Sequence, residues 1–349
     1  MKTSFVSNMS LQNTLRLTVA KAQGELLKLQ EETVTGRHAD VGAVLGAKTA
    51  RTLNLHRDLQ RMESLKSTNA LTTQRLAASQ AALDQISEAG NSAMEVLIAL
   101  SGMTSGDQLA LARDNIGDAL STFTAAANTS FSGEYLFAGI NSDVTPISDY
   151  LAGPPLSAGR QAFQDAFDAF MLAEGYTSAE EITPDRMESF IASFSTAFEA
   201  DWETDWSSAS NENMQSRISA SETVQSSTNA NTAGMRKMAL GLVIGYELLT
   251  LGLTESTRKV VTDTSIDYMG QAISGIDSER SKLGISQARV KQANTSLDAQ
   301  ITILSKSIKD MESIDTYEAA TRVTTLESQL SLAYTLTSRI QNLSLLNYL

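Results

Sequence analysis

Two long apolar stripes, one near each end of the chain, constrain this sequence more than anything between them. Leu11, Leu15, Val19, Ala22, Leu26 and Leu29 are spaced 4, 4, 3, 4, 3. Leu326, Leu330, Ala333, Leu336, Ile340, Leu343 and Leu346 are spaced 4, 3, 3, 4, 3, 3. Both spacings put one apolar edge on a helix. Such an edge needs other helices to cover it, because a short helix alone in water is marginal. The expectation is that both stripes are interaction surfaces, loose in a monomer and ordered by neighbouring subunits. Leu11, Leu15, Val19, Leu26, Leu29, Leu326, Leu330, Leu336, Ile340, Leu343 and Leu346 are the candidate assembly residues.

Helical periodicity continues inward. A first helix spans about residues 4–33, and Gly36 with the stretch from Asp40 to Gly46 interrupts it. A second runs from about 49 to 101 through Leu55, Leu59, Met62, Leu65, Leu76, Leu83, Ile86 and Leu97. Asn69 falls on that stripe, either as a register-fixing polar residue or as a partly exposed one. After a break at Gly102 and Gly106, a third helix covers about 107–130. Ser132 to Gly139 reads as a turn and a short strand.

The later helices are predicted at about 230–252, 256–312 and 316–347. In the second of these, Leu283, Val290, Leu297, Leu304 and Met311 recur every seven residues, a coiled-coil-like seam. Its flanks are polar without alternating charge, which suits packing inside a bundle. The fold class is therefore mainly α: a long antiparallel bundle or coiled coil formed by the N- and C-terminal halves, with a small inserted α or α+β module.

Composition shifts mark the insert at 141–228. All four Pro, six of the ten Phe and both Trp fall within it. Phe163, Phe167 and Phe170, then Phe190, Phe194 and Phe198, are spaced for two short amphipathic helices sharing a small core; an aromatic ligand pocket is the alternative. Three divisions follow: 1–45 plus 313–349 as an inner assembly layer, 46–140 plus 229–312 as a long-helix bundle, and 141–228 as an outward-facing module.

Several function classes lose support. A net charge of −13 argues against nucleic acid, whose phosphates call for a basic patch. Cysteine is absent, so no disulfide or thiolate metal site exists. Residues 1–21 lack the apolar block of a secretory signal. The most apolar run, Met238–Leu253, holds 16 residues including Glu247, shorter than a membrane span and suited to a buried helix packed through small residues. His38 and His56, the only histidines, read as surface or cap residues without a zinc motif. No phosphate loop, calcium loop or catalytic triad pattern occurs, so neither an enzyme nor a cofactor is expected.

The Thr33-Val34-Thr35-Gly36-Arg37 break, the segment Gly133-Glu134-Tyr135-Leu136-Phe137-Ala138-Gly139 followed by Thr145-Pro146, and the run from Gln329 to Ile340 ending in Leu343–Leu349 resemble the flagellin superfamily. Within it they are most similar to the hook–filament junction branch. The resemblance covers about 1–146 and 256–349. Asp40-Val41-Gly42-Ala43-Val44 departs from the family's usual Ser/Asp-rich stretch after the break, and Met1-Lys2-Thr3-Ser4-Phe5 departs from the filament-type start. The resemblance implies a structural, exported protein of the bacterial flagellum that leaves through the flagellar type III channel. Its partners would be copies of itself, the adjacent hook-associated junction protein, flagellin or the hook side of the axial structure, and a cytosolic export chaperone, with no membrane partner. A filament flagellin and a secreted coiled-coil effector or scaffold are the other readings.

Overall fold

A computed structural model describes the backbone of residues 8–100 and 106–346, and side chains for Ser10, 13–100 and 106–339. The calls on Leu11, Ile340, Leu343 and Leu346, and on the break at Gly102, lie outside the described residues. The fold is mainly α. Its helices are α1 (Asn8–Thr35), α2 (Val41–Leu45), α3 (Thr49–Ala99), α4 (Gly106–Ala127), α5 (Ala158–Glu174), α6 (Pro184–Ala200), α7 (Ala233–Leu248), α8 (Glu255–Glu312) and α9 (Thr316–Leu346). Two small antiparallel hairpins join β1 (Ser130–Phe131) to β2 (Glu134–Tyr135) and β3 (Gln215–Arg217) to β4 (Thr223–Gln225). The chain divides into two compact units: residues 1–63 with 298–349, and residues 64–297.

In the first unit, α1 and α9 lie side by side and antiparallel. Arg37 bridges Ser313 near one end of the pair, and the Gln23 amide donates to the Tyr334 hydroxyl at 2.6 Å further along. The departure at Asp40–Val44 forms α2, whose start is capped by Asp40 accepting from the Ala43 N–H at 2.9 Å. The first turns of α3 and the last turns of α8 run antiparallel here too, with Thr52 beside Met311 and His56 beside Glu312.

In the second unit the sevenfold seam is buried: Leu283, Val290 and Leu297 are covered. Leu283 and Val290 pack in a core that takes Leu76, Leu83, Ile86 and Leu97 from α3 and Ile116, Leu120 and Phe123 from α4. Asn69 is fully buried, and its amide donates to Asn294 Oδ1 at 2.8 Å and to the Ile218 carbonyl at 3.0 Å. Of its two readings, the structure favours the register-fixing one: α8 and the β3–β4 hairpin are both tied to one position on α3. Helix α7 is buried nearly throughout, through its small residues, as the Met238–Leu253 run predicts.

The motif from Gly133 to Gly139 has a physical reason at each position. Ser132 and Gly133 both have positive φ (54° and 87°), the two-residue hairpin turn whose twist matches its strands. Glu134 pairs with Arg75, and Arg75 also reaches the Tyr135 carbonyl at 3.4 Å. Leu136, Phe137 and Ala138 are fully buried. Gly139 has φ +65°, and a Cβ there would lie 2.5 Å from the carbonyl oxygens of Ser210 and Glu212.

Helices α5 and α6 confirm the paired Phe spacing. Phe163 meets Phe194 edge-on with centroids 5.0 Å apart, and Phe167 meets Phe190 at 5.3 Å. The ring set continues through Phe198 to Trp202 and Trp206, in a π-helical turn, and on to Tyr150, stacked on Trp206 at 5.3 Å. These rings form one core with α4 and α7. Charge supplements the packing. Glu247 on α7, largely buried, accepts from Arg160 Nε at 2.9 Å and from the Tyr150 hydroxyl at 3.1 Å. Burial first, then the Glu247 charge, raises the Tyr150 pKa well above the usual phenol value.

Candidate assembly interface

The α1–α9 pair is built on a stricter period than the sequence stripes suggest. On α1 the covered line runs Leu15, Val19, Ala22, Leu26, Leu29 and Thr33, spaced 4, 3, 4, 3, 4. On α9 it runs Ala319, Val323, Leu326, Leu330, Ala333 and Thr337 with the same alternation. A 3.5-residue repeat on two antiparallel partners is a coiled-coil seam. Of the candidate residues, Leu29 and Leu330 are buried, and Leu15, Val19, Leu26 and Leu326 are half-buried. Leu336 is off the seam and 50% exposed; Thr337 takes its place.

Covering is incomplete. Leu17 (72% exposed), Leu27 (67%) and Leu332 (70%) face solvent on the same two helices, with Tyr334 and Leu336. A helix hydrophobic on more than one side is one that packs on more than one side. The pair therefore has an apolar seam within the chain and apolar side chains left outside it. Sequence reasoning missed Ala319, Val323 and Thr337, which a strict 3.5 spacing carried in both directions from Leu326 and Leu330 would have found. It also missed Leu17, Leu27 and Leu332, because a stripe search keeps only one face.

Where α1 gives way to α2, and α8 to α9, a polar joint sets the geometry. The buried Glu312 carboxylate lies 2.7 Å from His56 Nε2 and 3.5 Å from Arg37 Nη1. Its backbone carbonyl accepts from the His38 N–H at 3.0 Å, and the Ile314 N–H donates to Gly36 at 3.2 Å. Glu32 accepts from the Ala39 N–H at 3.0 Å and lies 3.7 Å from the His38 ring. Both histidines thus belong to one joint, rather than to separate surface or cap positions. No local signal reveals the pairing of His56 with Glu312, since the partners are 256 residues apart. Among the described residues, no three His, Asp or Glu side chains gather to hold a metal, and no helix is long and apolar enough to cross a membrane.

These features define a class: a mainly α chain whose first and last helices pair and whose long helices bracket an insertion. The family model for the bacterial flagellin N-terminal helical region matches residues 6–142, and that for the bacterial flagellin C-terminal helical region matches 266–349. The chain belongs to the flagellin family. Three solved structures share its fold. A protein of Vibrio parahaemolyticus assigned as a flagellar hook-associated protein superposes with a TM-score of 0.53 at 10% identity, covering 76% of this chain and 97% of its own. Bacillus cereus FlgL gives 0.51 at 13% identity, covering 73% and 99%. Flagellar hook-associated protein 3 of Legionella pneumophila gives 0.50 at 10% identity, covering 74% and 98%. No curated protein sequence matches the chain.

Proposed function

We propose that this chain is a structural subunit of the bacterial flagellum that joins hook to filament. Membership of the flagellin family supports an axial, exported component. The likeness of fold to hook-associated proteins over nearly their whole length supports the junction position within that family. The observation that carries the reading is the α1–α9 pair, whose seam leaves Leu15, Val19, Leu26 and Leu326 half-buried and whose outer faces leave Leu17, Leu27 and Leu332 uncovered. Neighbouring copies complete that cover. Residues 1–45 with 313–349 form the inner layer of the assembly, 46–140 with 229–312 the surrounding bundle, and 141–228 the outward module. Leu11, Leu15, Val19, Leu26, Leu29, Leu326, Leu330, Leu336, Ile340, Leu343 and Leu346 contribute to contacts between copies, with the adjacent junction protein, and with flagellin or the hook side. Before export a cytosolic chaperone covers the same apolar residues. The role is structural and involves no catalysis.

Deletion of the gene tests this reading. The expected result is a cell with hooks, no filament, and flagellin shed into the medium. Normal filaments on the deletion strain overturn it. Copy number separates the junction role from a filament flagellin, since a junction uses few subunits and a filament very many.

A further inference from the structure

Charge changes sign along α3. Residues 48–66, at its start, hold five basic residues and two acidic ones. Residues 79–127, which take in its end and all of α4, hold six acidic residues and one basic. That one cation, Arg113, is turned onto the Tyr246 ring, 4.2 Å from its centroid. Between α3 and α4 lies a groove of about 700 Å³. Its floor is small, with Ala89, Ala119 and Ala126 buried in it, and its walls carry Glu88 and Asp118. Both carboxylates are exposed, and neither has a cation partner among the described residues. At the start of α3, Leu53, Arg57, Gln60 and Ser64 are spaced 4, 3, 4 on one exposed face, with Arg61 at its edge. Leu53 is 61% exposed there. Arg57 meets the Asn54 amide oxygen at 3.0 Å, and among the described residues no carboxylate pairs with Arg57 or Arg61.

Building on the structural-subunit role above, we propose that this groove takes the Leu53–Ser64 face of a second copy of the chain. The occupant follows from charge and connectivity. The unpaired carboxylates that line the groove call for cations, and the start of α3 exposes two arginines with no carboxylate partner beside an uncovered leucine. A chain cannot fill its own groove in this way, because α3 is itself one of the walls. The alanine floor lets a helix approach closely, with Leu53 over the floor and the long Arg57 and Arg61 side chains reaching the walls. Face and groove are different surfaces, so the contact is heterologous: each copy offers a groove to one neighbour and a face to another, as a ring or helical array requires.

Because the chain has no cysteine, engineered thiols report this contact directly. Two full-length copies are mixed, one with Thr122→Cys in the groove wall and one with Leu53→Cys on the basic face. Disulfide-linked heterodimer is followed under mild oxidation. At low salt it is expected to form about tenfold faster than either homodimer, and the excess to shrink as salt screens the charges. Reversing the groove (Glu88→Lys with Asp118→Lys) or the face (Arg57→Glu with Arg61→Glu) is expected to remove the excess. Mixing the two reversed copies is expected to restore it. Thermal melting establishes that each variant is folded. Should the reversed groove unfold, Glu88→Gln with Asp118→Asn replaces it and is expected to lower the excess and flatten its salt dependence. Heterodimer no faster than the homodimers, an excess indifferent to these substitutions, or reversed copies that fail to recover it each overturns the proposal. Any of these outcomes beside a deletion strain with hooks and no filament removes this contact alone and leaves the junction role standing.

Discussion

Single positions decide how closely the helices of the second unit approach. A Cβ added at Gly275 on α8 would lie 2.7 Å from the Gly234 Cα on α7, a backbone-on-backbone contact that no rotamer relieves. Gly275→Ala is expected to destabilise the protein by about 1–3 kcal/mol, the usual range for overpacking, despite the better helix propensity of Ala. Five residues earlier on α8, Gly270 has nothing within 4 Å of the same built atom. Gly270→Ala is expected to stabilise by about 0.5–1 kcal/mol, because only the helix propensity changes. Denaturant melts of the pair separate packing from propensity. Tyr150 gives a second prediction at this scale. Burial and the Glu247 carboxylate raise its pKa, so the folded state keeps the phenol proton where the unfolded chain releases it. A raised folded pKa contributes stability that is present below the unfolded value, near 10, and is lost as pH rises beyond it, at about 1.4 kcal/mol per pH unit for one proton. Tyr150→Phe is therefore expected to be offset from wild type at neutral pH by the lost bond to Glu247. Its decline above pH of about 10 should be shallower by that slope. Parallel alkaline curves for the two proteins count against it.

Elements differ in how far the sequence announces them. The long helices were legible because a buried edge repeats over dozens of residues, as at Leu283, Val290 and Leu297. The Phe spacing on α5 and α6 was legible for the same reason. What joins elements together was much less so. Asn69 stood out as a polar residue on a stripe, yet its two partners, Asn294 and the Ile218 carbonyl, lie far away in sequence and leave no local mark. Glu247 is the sole acid on an apolar helix and read as a point against a membrane span; its role emerges only when Arg160 and Tyr150 arrive from the insertion. That carboxylate attaches the start of α5 and the loop before it to α7. Removing one member of a buried pair leaves an unmatched charge, which typically costs about 3–5 kcal/mol. Glu247→Leu is expected to lose stability on that scale, and Arg160→Met combined with Glu247→Leu to regain much of it. A double-mutant cycle checks this: additive losses would mean that the two groups do not act as a pair. Should the double variant be as stable as wild type, the ion pair sets the placement of α5 rather than the net stability.

At the scale of the whole chain, α1 and α9 carry apolar side chains in excess of what pairing them can cover. The seam residues Leu15, Val19, Leu26 and Leu326 are half-buried, and Leu17, Leu27 and Leu332 are exposed. Amide exchange on the monomer is therefore expected to be faster in α1 and α9 than in α7 and the buried part of α8, and to slow on assembly. Two substitutions separate the seam from the outer face. Val19→Asp puts a carboxylate on the seam, where it must be desolvated to pack, so both the α1–α9 pairing and assembly are expected to fail. Leu332→Asp places the same charge on the 70% exposed face, where the chain itself does not cover it. The α1–α9 pair should then persist while assembly fails, because only a neighbouring copy would bury that position. In both variants the fluorescence of the buried Trp202 and Trp206 should be unchanged, since these rings lie in the other compact unit. Sedimentation of assembled against free subunit measures the outcome. If Leu332→Asp assembles normally, the outer face is not a contact surface, and the seam alone must account for how copies join. If Val19→Asp also assembles normally, α1 and α9 are not what holds the copies together.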